Sequence, residues 1–379
     1  MKKIFLSIFL TTLLVLTSVS FSTAATENNI IYVDDDGGAD YTTIQDAIQA
    51  ASEGDSIYVY PGTYYGIITI EKSLTLTGED KTSTIIDGQQ LGEDMITVTA
   101  PNVHINGFTI QNGPRGNGYN SGIKLEDADN VILEDILFMD NCWAAEIRTS
   151  EGCIFSNNQV VDNEQGGVHV VFSDSTTVTK CSFVNNGGRG IQIAKGSNQL
   201  ISSNTFIDCG VEVHDSLPQG NRFQCTMIDN TVNGKPLVYL EQKNIRLVRN
   251  AGQVILNRCN GIIVRNNDLT NTVMGVQVLG STFVKIVGNT IMDNVHGISV
   301  SKSFFVTIRN NDILNNSYAG VGLYHSSACR VVLNEISGND YGVYFHGTVL
   351  NMLCLNKVHD NKRHDFLISS ALLPFDLEL

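Results

Sequence analysis

Positive charge is scarce in this chain, with 24 Lys and Arg against 39 Asp and Glu. That balance argues against nucleic acid and against anionic membrane surfaces as partners, since both need a cationic face. It argues more mildly against a strongly anionic polysaccharide, unless basic residues gather locally. No apolar run after Phe21 is long enough to span a bilayer. There is no Cys-x-x-Cys pair, which removes the usual spacing for zinc or thiol redox chemistry. Nor is there a Met-x-x-Met or His-x-His cluster to gather a soft metal such as Cu(I). Tryptophan occurs once, as Trp143.

The longest apolar run is at the start. Lys2 and Lys3 precede Ile4 to Phe21, and Ser22-Thr23-Ala24 or Thr23-Ala24-Ala25 offers a small-residue cleavage site. Residues 1–25 therefore read as a secretory signal peptide, with an uncleaved anchor as the alternative. Removing Lys2 and Lys3 with it would take the net charge from −15 to −17. A secreted, cell-surface or periplasmic location is expected.

What the chain has in abundance is a repeat. Gly275-Val276-Gln277-Val278 returns as Gly297-Ile298-Ser299-Val300, Gly320-Val321-Gly322-Leu323 and Gly342-Val343-Tyr344-Phe345, with glycines 22, 23 and 22 residues apart. Asn267, Asn289, Asn311, Asn334 and Asn356 keep the same step. Inside each unit apolar residues alternate with strand period, and there is no room for a helix. Three short strands per 22–23-residue unit, with Asn and Gly corners, specify an all-β, right-handed parallel β-helix. Asn is expected to tolerate a left-handed corner and to bond the equivalent Asn of the next coil. The one helical pattern, Thr42 to Ala51, puts Ile44, Ala47, Ile48 and Ala51 on one side and should close the amino-terminal end of the tube.

Residues 26–379 are thus expected to form one solenoid. Within it, 26–100 hold the cap and first coils, and 101–214 hold coils with a charged face. The period is lost over 215–265, returns over 266–361, and 362–379 form a C-terminal cap. Eight cysteines fall roughly one per coil, at 142, 153, 181, 209, 225, 259, 329 and 354. Buried free thiols are expected for most of them. Cys181 takes the corner between Asn158 and Asn204.

Two resemblances follow. The run from Asp40 to Ile48, with Tyr60-Pro61-Gly62-Thr63-Tyr64, is similar to the amino-terminal cap of the pectin-lyase-like superfamily. The paired aspartates and arginine-tryptophan segment of its methylesterases have no counterpart, and the polygalacturonase aspartate pairs are missing. Asp229 to Tyr239, Asn250 to Leu256 and the repeats after Asn266 resemble the NosD type of β-helix, also called carbohydrate-binding and sugar-hydrolase repeats. That likeness implies an exported protein. For the named member it also implies copper delivery to nitrous-oxide reductase, with an ABC transporter and the reductase as partners.

Candidate chemistry lies on the middle residue of each Gly-apolar-x-apolar strand, which faces away from the tube interior. That column reads Lys124, Glu146, His169, Gln192 and Glu212, with Glu126, Arg148 and His214 in the next one. The same positions after residue 266 are neutral: Gln277, Ser299 and Gly322, then Tyr344, with Tyr324 and His346 beside it as a stacking platform for sugar. Acids, bases and imidazoles on one exposed sheet would suit a saccharide, with His169, Glu146 and Lys124 as the groups for proton transfer in a polysaccharide lyase, epimerase or hydrolase. The plainer reading is a ladder of paired surface charges. Asp34, Asp35 and Asp36 offer carboxylates to Ca²⁺, but no ligand spacing sets them apart from a solvated loop.

Overall fold

The computed structural model describes residues 28–116, 118–214 and 224–369. The signal segment, residues 215–223 of the irregular stretch and the end of the C-terminal cap lie outside the described residues. From Ile30–Val33 onward, each strand pairs in parallel with its counterpart one coil later. Period-two alternation turns one set of side chains into the tube. One interior column runs Leu76, Ile105, Leu133, Phe155, Val178 and Ile201, all fully buried. Another includes Phe183 and Phe206, stacked 4.9 Å apart, and ends in Val232.

The helix spans Ile44–Ala50, capped by Thr43, whose hydroxyl accepts the Asp46 N–H at 3.2 Å. Ile44, Ala47 and Ile48 are buried over the first coil, as the apolar side predicts. The cysteines are free thiols; all are buried except the half-buried Cys354. Cys181 stands within the corner ladder: its Sγ accepts the Asn158 N–H, and its own N–H donates to Asn204.

The asparagine ladder runs as expected. Asn267, Asn289, Asn311, Asn334 and Asn356 are linked by backbone N–H donation to the next Oδ1, each at 3.0 Å. The backbone differs from expectation. The left-handed residue is the one before each ladder position, such as Asn310 at φ 52° and Leu333 at φ 58°. The ladder residue is therefore kept for its amide, while its predecessor makes the turn.

The coils do not share one interior. Buried apolar side chains fall into two clusters, one from Val33 to Val232 and Leu237, the other from Val248 to Val343. Between them the chain reverses in an antiparallel hairpin, Val232 opposite Lys235, across Asn233 at φ 49° and Gly234 at φ 76°. The last long strand of the first stack, Thr205–His214, is paired with Ser182–Ala194 on one side. On the other side backbone pairing stops at Phe206.

Two side-chain amides take over beyond that point. Gln253 accepts the Val211 N–H at 2.9 Å and donates to its carbonyl at 2.7 Å. Gln277, one coil further, does the same for Val213 at 3.2 and 2.8 Å. The strand thus crosses successive coils of the second stack. Ile255 and Leu279, outward on that stack, pack into the first stack's core. Close approach is allowed because Gly210 has no Cβ, which would sit 2.0 Å from Thr272 Oγ1.

Replacing Asn311 by Ala should cost about 2–3 kcal/mol, because it strands the Asn289 N–H and the Ile286 carbonyl in a dry corner. Denaturant unfolding checks this, and a change below about 0.5 kcal/mol would contradict it.

Candidate functional site

Strand register aligns the expected column. Lys124, Glu146, His169, Gln192 and Glu212 are successive partners, as are Glu126 and Arg148, and Ala194 and His214. The expectation of one exposed surface is corrected. Glu146, His169 and Glu212 are only 2, 6 and 3 % exposed. Facing away from the tube is not the same as facing water.

The column divides into two groups. In the upper one Lys124 pairs with Glu126, and Arg148 Nη2 meets Glu146 Oε1 at 2.5 Å. His169 Nδ1 lies 3.4 Å from the same oxygen, without hydrogen-bond alignment. Trp143 and Tyr119 stack on the imidazole at 5.0 and 5.9 Å. Burial would raise the Glu146 carboxyl, but His169 and Arg148 hold it below its ordinary value. Glu146 and His169 are sealed and Lys124 is engaged by Glu126, so none of the three proton-transfer candidates is an open group.

The lower group opens into a cleft of about 460 Å³ where the stacks meet. Its floor is Glu212. Oε2 accepts from Arg189 Nε at 2.7 Å and Gln192 Nε2 at 2.9 Å, and Oε1 lies 2.9 Å from His214 Nε2. Opposite, the second stack contributes Met274, His296, Ser299, Ser301, Tyr318 and Tyr324. His296 keeps part of its ring open, but its Nδ1 is buried without a partner. Tyr318 stands 4.8 Å from that ring and 37 % exposed. Tyr341 and Tyr344 continue the aromatic surface, 5.4 and 6.2 Å from Tyr318. The sugar platform expected at Tyr324 and Tyr344 is therefore joined to the cleft, whereas His346 contacts Ser369 and His325.

Sequence reasoning brought Gln192, Glu212 and His214 to this place but missed Arg189, His296 and Tyr318. Arg189 follows Gly187-Gly188, where the strand register shifts, so periodicity mislaid it. Gly188 lets the stacks touch, since a Cβ there would lie 2.7 Å from Val295. A wider groove of about 830 Å³ borders Tyr239 and Glu241. Its carboxylate already accepts from the Cys225 N–H and Tyr239 hydroxyl.

Among the described residues no three His, Cys, Asp or Glu side chains stand together as a metal site. Burial raises the thiols of Cys153, Cys181 and Cys209 to between about 11 and about 12, so they stay protonated. His214, His296 and Met274 share the cleft, but His214 Nε2 is committed to Glu212 and Gln192. These residues do not fit a copper site. At the acidic loop, Asp34 and Asp35 are turned onto the backbone N–H groups of Asp36 and Thr63, respectively.

Burial pushes His296 down to about 4, below its ordinary 6.5. For Glu212, burial acts upward, but His214 and Arg189 outweigh it and bring the carboxyl from 4.5 to about 2. In both cases the unfolded chain takes up the proton first, so stability falls with falling pH. His296 accounts for the window from 6.5 to about 4, and Glu212 for that from 4.5 to about 2. His296→Asn should flatten denaturant midpoints in the upper window and leave the lower loss intact. An unchanged upper limb would contradict this assignment.

The sequence matches the family model described as "Periplasmic copper-binding protein (NosD)" over residues 48–237 and 219–365. No curated protein sequence matches. Among solved structures, the mannuronan C-5 epimerase AlgE4 A-module of Azotobacter vinelandii is similar at 16% identity and TM-score 0.38, over 90% of this chain and 98% of that one. The Dettilon tailspike protein is similar at 15% and 0.48, over 90% and 69%. The catalytic unit of a GH87 α-1,3-glucanase from Streptomyces thermodiastaticus gives 14% and 0.43, over 91% and 68%. At these scores the likeness says nothing about activity. No helix among the described residues is long and apolar enough to cross a membrane. By its family match over most of its length, the chain belongs to the NosD family.

Proposed function

We propose that this protein is an exported envelope β-helix that binds a saccharide in the cleft between its two stacks. The observation that carries the reading is the cleft wall where the half-open imidazole of His296, held neutral by burial, stands 4.8 Å from the 37 % exposed ring of Tyr318. Sugar rings offer an apolar face to an aromatic and hydroxyls to Ser299, Ser301 and His214. The cleft volume is that of a small-ligand site.

Glu212 already holds Arg189, so the site carries little free positive charge toward a uronate. The substrate class expected is therefore neutral, with binding nearly indifferent to salt. Copper handling rests on the family's description alone, and the donors present do not favour it.

Calorimetric titration with neutral and uronate oligosaccharides, and separately with Cu(I), tests the reading. Tyr318→Ala and His296→Ala should each weaken neutral-oligosaccharide binding by about tenfold or more, roughly 1.4 kcal/mol, without moving the melting temperature of Tyr318→Ala. Binding to no oligosaccharide, binding untouched by both substitutions, or tight Cu(I) uptake abolished by His296→Ala would overturn it.

A further inference from the structure

The net charge of the chain conceals two halves of opposite sign. Residues 28–214 carry 8 Lys and Arg against 26 Asp and Glu, whereas 224–369 carry 13 against 9. The second stack's bases are concentrated further. One side of it is built from segments 242–250, 258–267, 280–289, 302–311, 325–334 and 347–356, each a corner followed by a strand of the six-stranded sheet. Those six segments contain nine Lys and Arg and no Asp or Glu. Strand register brings Lys285 and Arg330 into one outward column and Arg265 and Arg309 into the next, and all four are exposed.

Along the corner that borders this sheet runs an apolar ridge. Corner residues of successive coils are bridged in parallel from Asn244 through Thr282 and Phe304 to Val349. The residue after each is left-handed, and at four of the six it is large and apolar: Ile245, Phe283, Phe305 and Leu350, at φ 45, 53, 56 and 59°. They are 79, 56, 52 and 86 % exposed. Gly261 occupies the same position on another coil, which is the residue that such a turn ordinarily favours. A bulky or β-branched side chain there adds strain and, at half or more exposed, leaves much of its apolar surface in water. Phe283 and Phe305 stack face to face at 5.0 Å, and Phe304 beside them is 47 % exposed. Five coil steps make the ridge about 24 Å long. Folding does not explain it.

We propose that this side of the second stack docks on the surface of an anionic lipid bilayer, the ridge entering the headgroup boundary while Arg265, Lys285, Arg309 and Arg330 meet the phosphates. Two features together select a bilayer. A soluble polyanion would use the cations but has no place for exposed Phe, Ile and Leu, whereas the membrane interface takes both. Charge also orients the molecule, because the first stack is repelled by the same surface that attracts the second. The acidity read as disfavouring anionic membranes is carried by residues 28–214, while 224–369 are net basic. The docking side is distinct from the cleft, which opens on the sheet containing Gln277 and Ser299.

Vesicle flotation of the purified protein tests the proposal, with phosphatidylcholine alone and with phosphatidylcholine containing phosphatidylglycerol. The protein should float with the anionic vesicles only. K285Q/R309Q should weaken that binding by about thirtyfold, given the attraction typical of each basic residue at such a surface. F283A/F305A should leave a residual attraction that high salt removes, while both variants melt like the wild type. No flotation with anionic vesicles, equal flotation with neutral ones, or anionic binding that neither variant weakens would overturn it. So would capture by dextran sulfate in the absence of any vesicle binding.

Discussion

An open strand edge is the constraint around which this molecule is arranged. Each coil of a β-helix satisfies the one before it, so the last coil of a stack leaves a row of unpaired N–H and C=O groups. At the amino-terminal end a helix covers the interior. At the end of the first stack the chain turns back through Asn233-Gly234 and lays its next coils across the edge. The carboxamides of Gln253 and Gln277 carry the same donor and acceptor as a peptide unit, and they stand in for a strand that is not there. The cleft lies beside these contacts, lined by Glu212 and His214 of the first stack and by His296, Tyr318 and Tyr324 of the second.

The same constraint accounts for the change in outward chemistry along the chain. Lys124, Glu146 and Glu212 precede the junction, where charges can pair with one another on a sheet. Gln277 follows it and is buried with its carboxamide on Val213 of the first stack, where an unpaired charge would be costly. The neutral Gln277 thus marks an internal interface.

Much of this was legible in the sequence, and the failures share one cause. The 22-residue step fixes coil register, so Lys124 to Glu212 do align, and the Asn column does form a ladder. The cap helix is announced by Thr43 and the spacing of Ile44, Ala47 and Ile48. Periodicity, however, tells which side of a sheet a residue is on and nothing about what lies beyond that side. Trp143 and Tyr119 cover His169, and the second stack covers Glu212; neither cover follows from a repeat. His296 and Tyr318 join Glu212 only because the second stack is laid across the first. The reversal itself had a signal in Asn233-Gly234, a hairpin pair set inside the one stretch where the period lapses.

Amide hydrogen exchange at Val211 and Val213 tests the central claim, that side-chain amides close the first stack. In the wild type both amides should exchange as slowly as Val168 and Ile191 in the stack's interior. In a Gln253→Ala/Gln277→Ala variant Val211 and Val213 should exchange like an open edge while Val168 and Ile191 stay protected. Equal protection of all four amides in that variant would contradict the account.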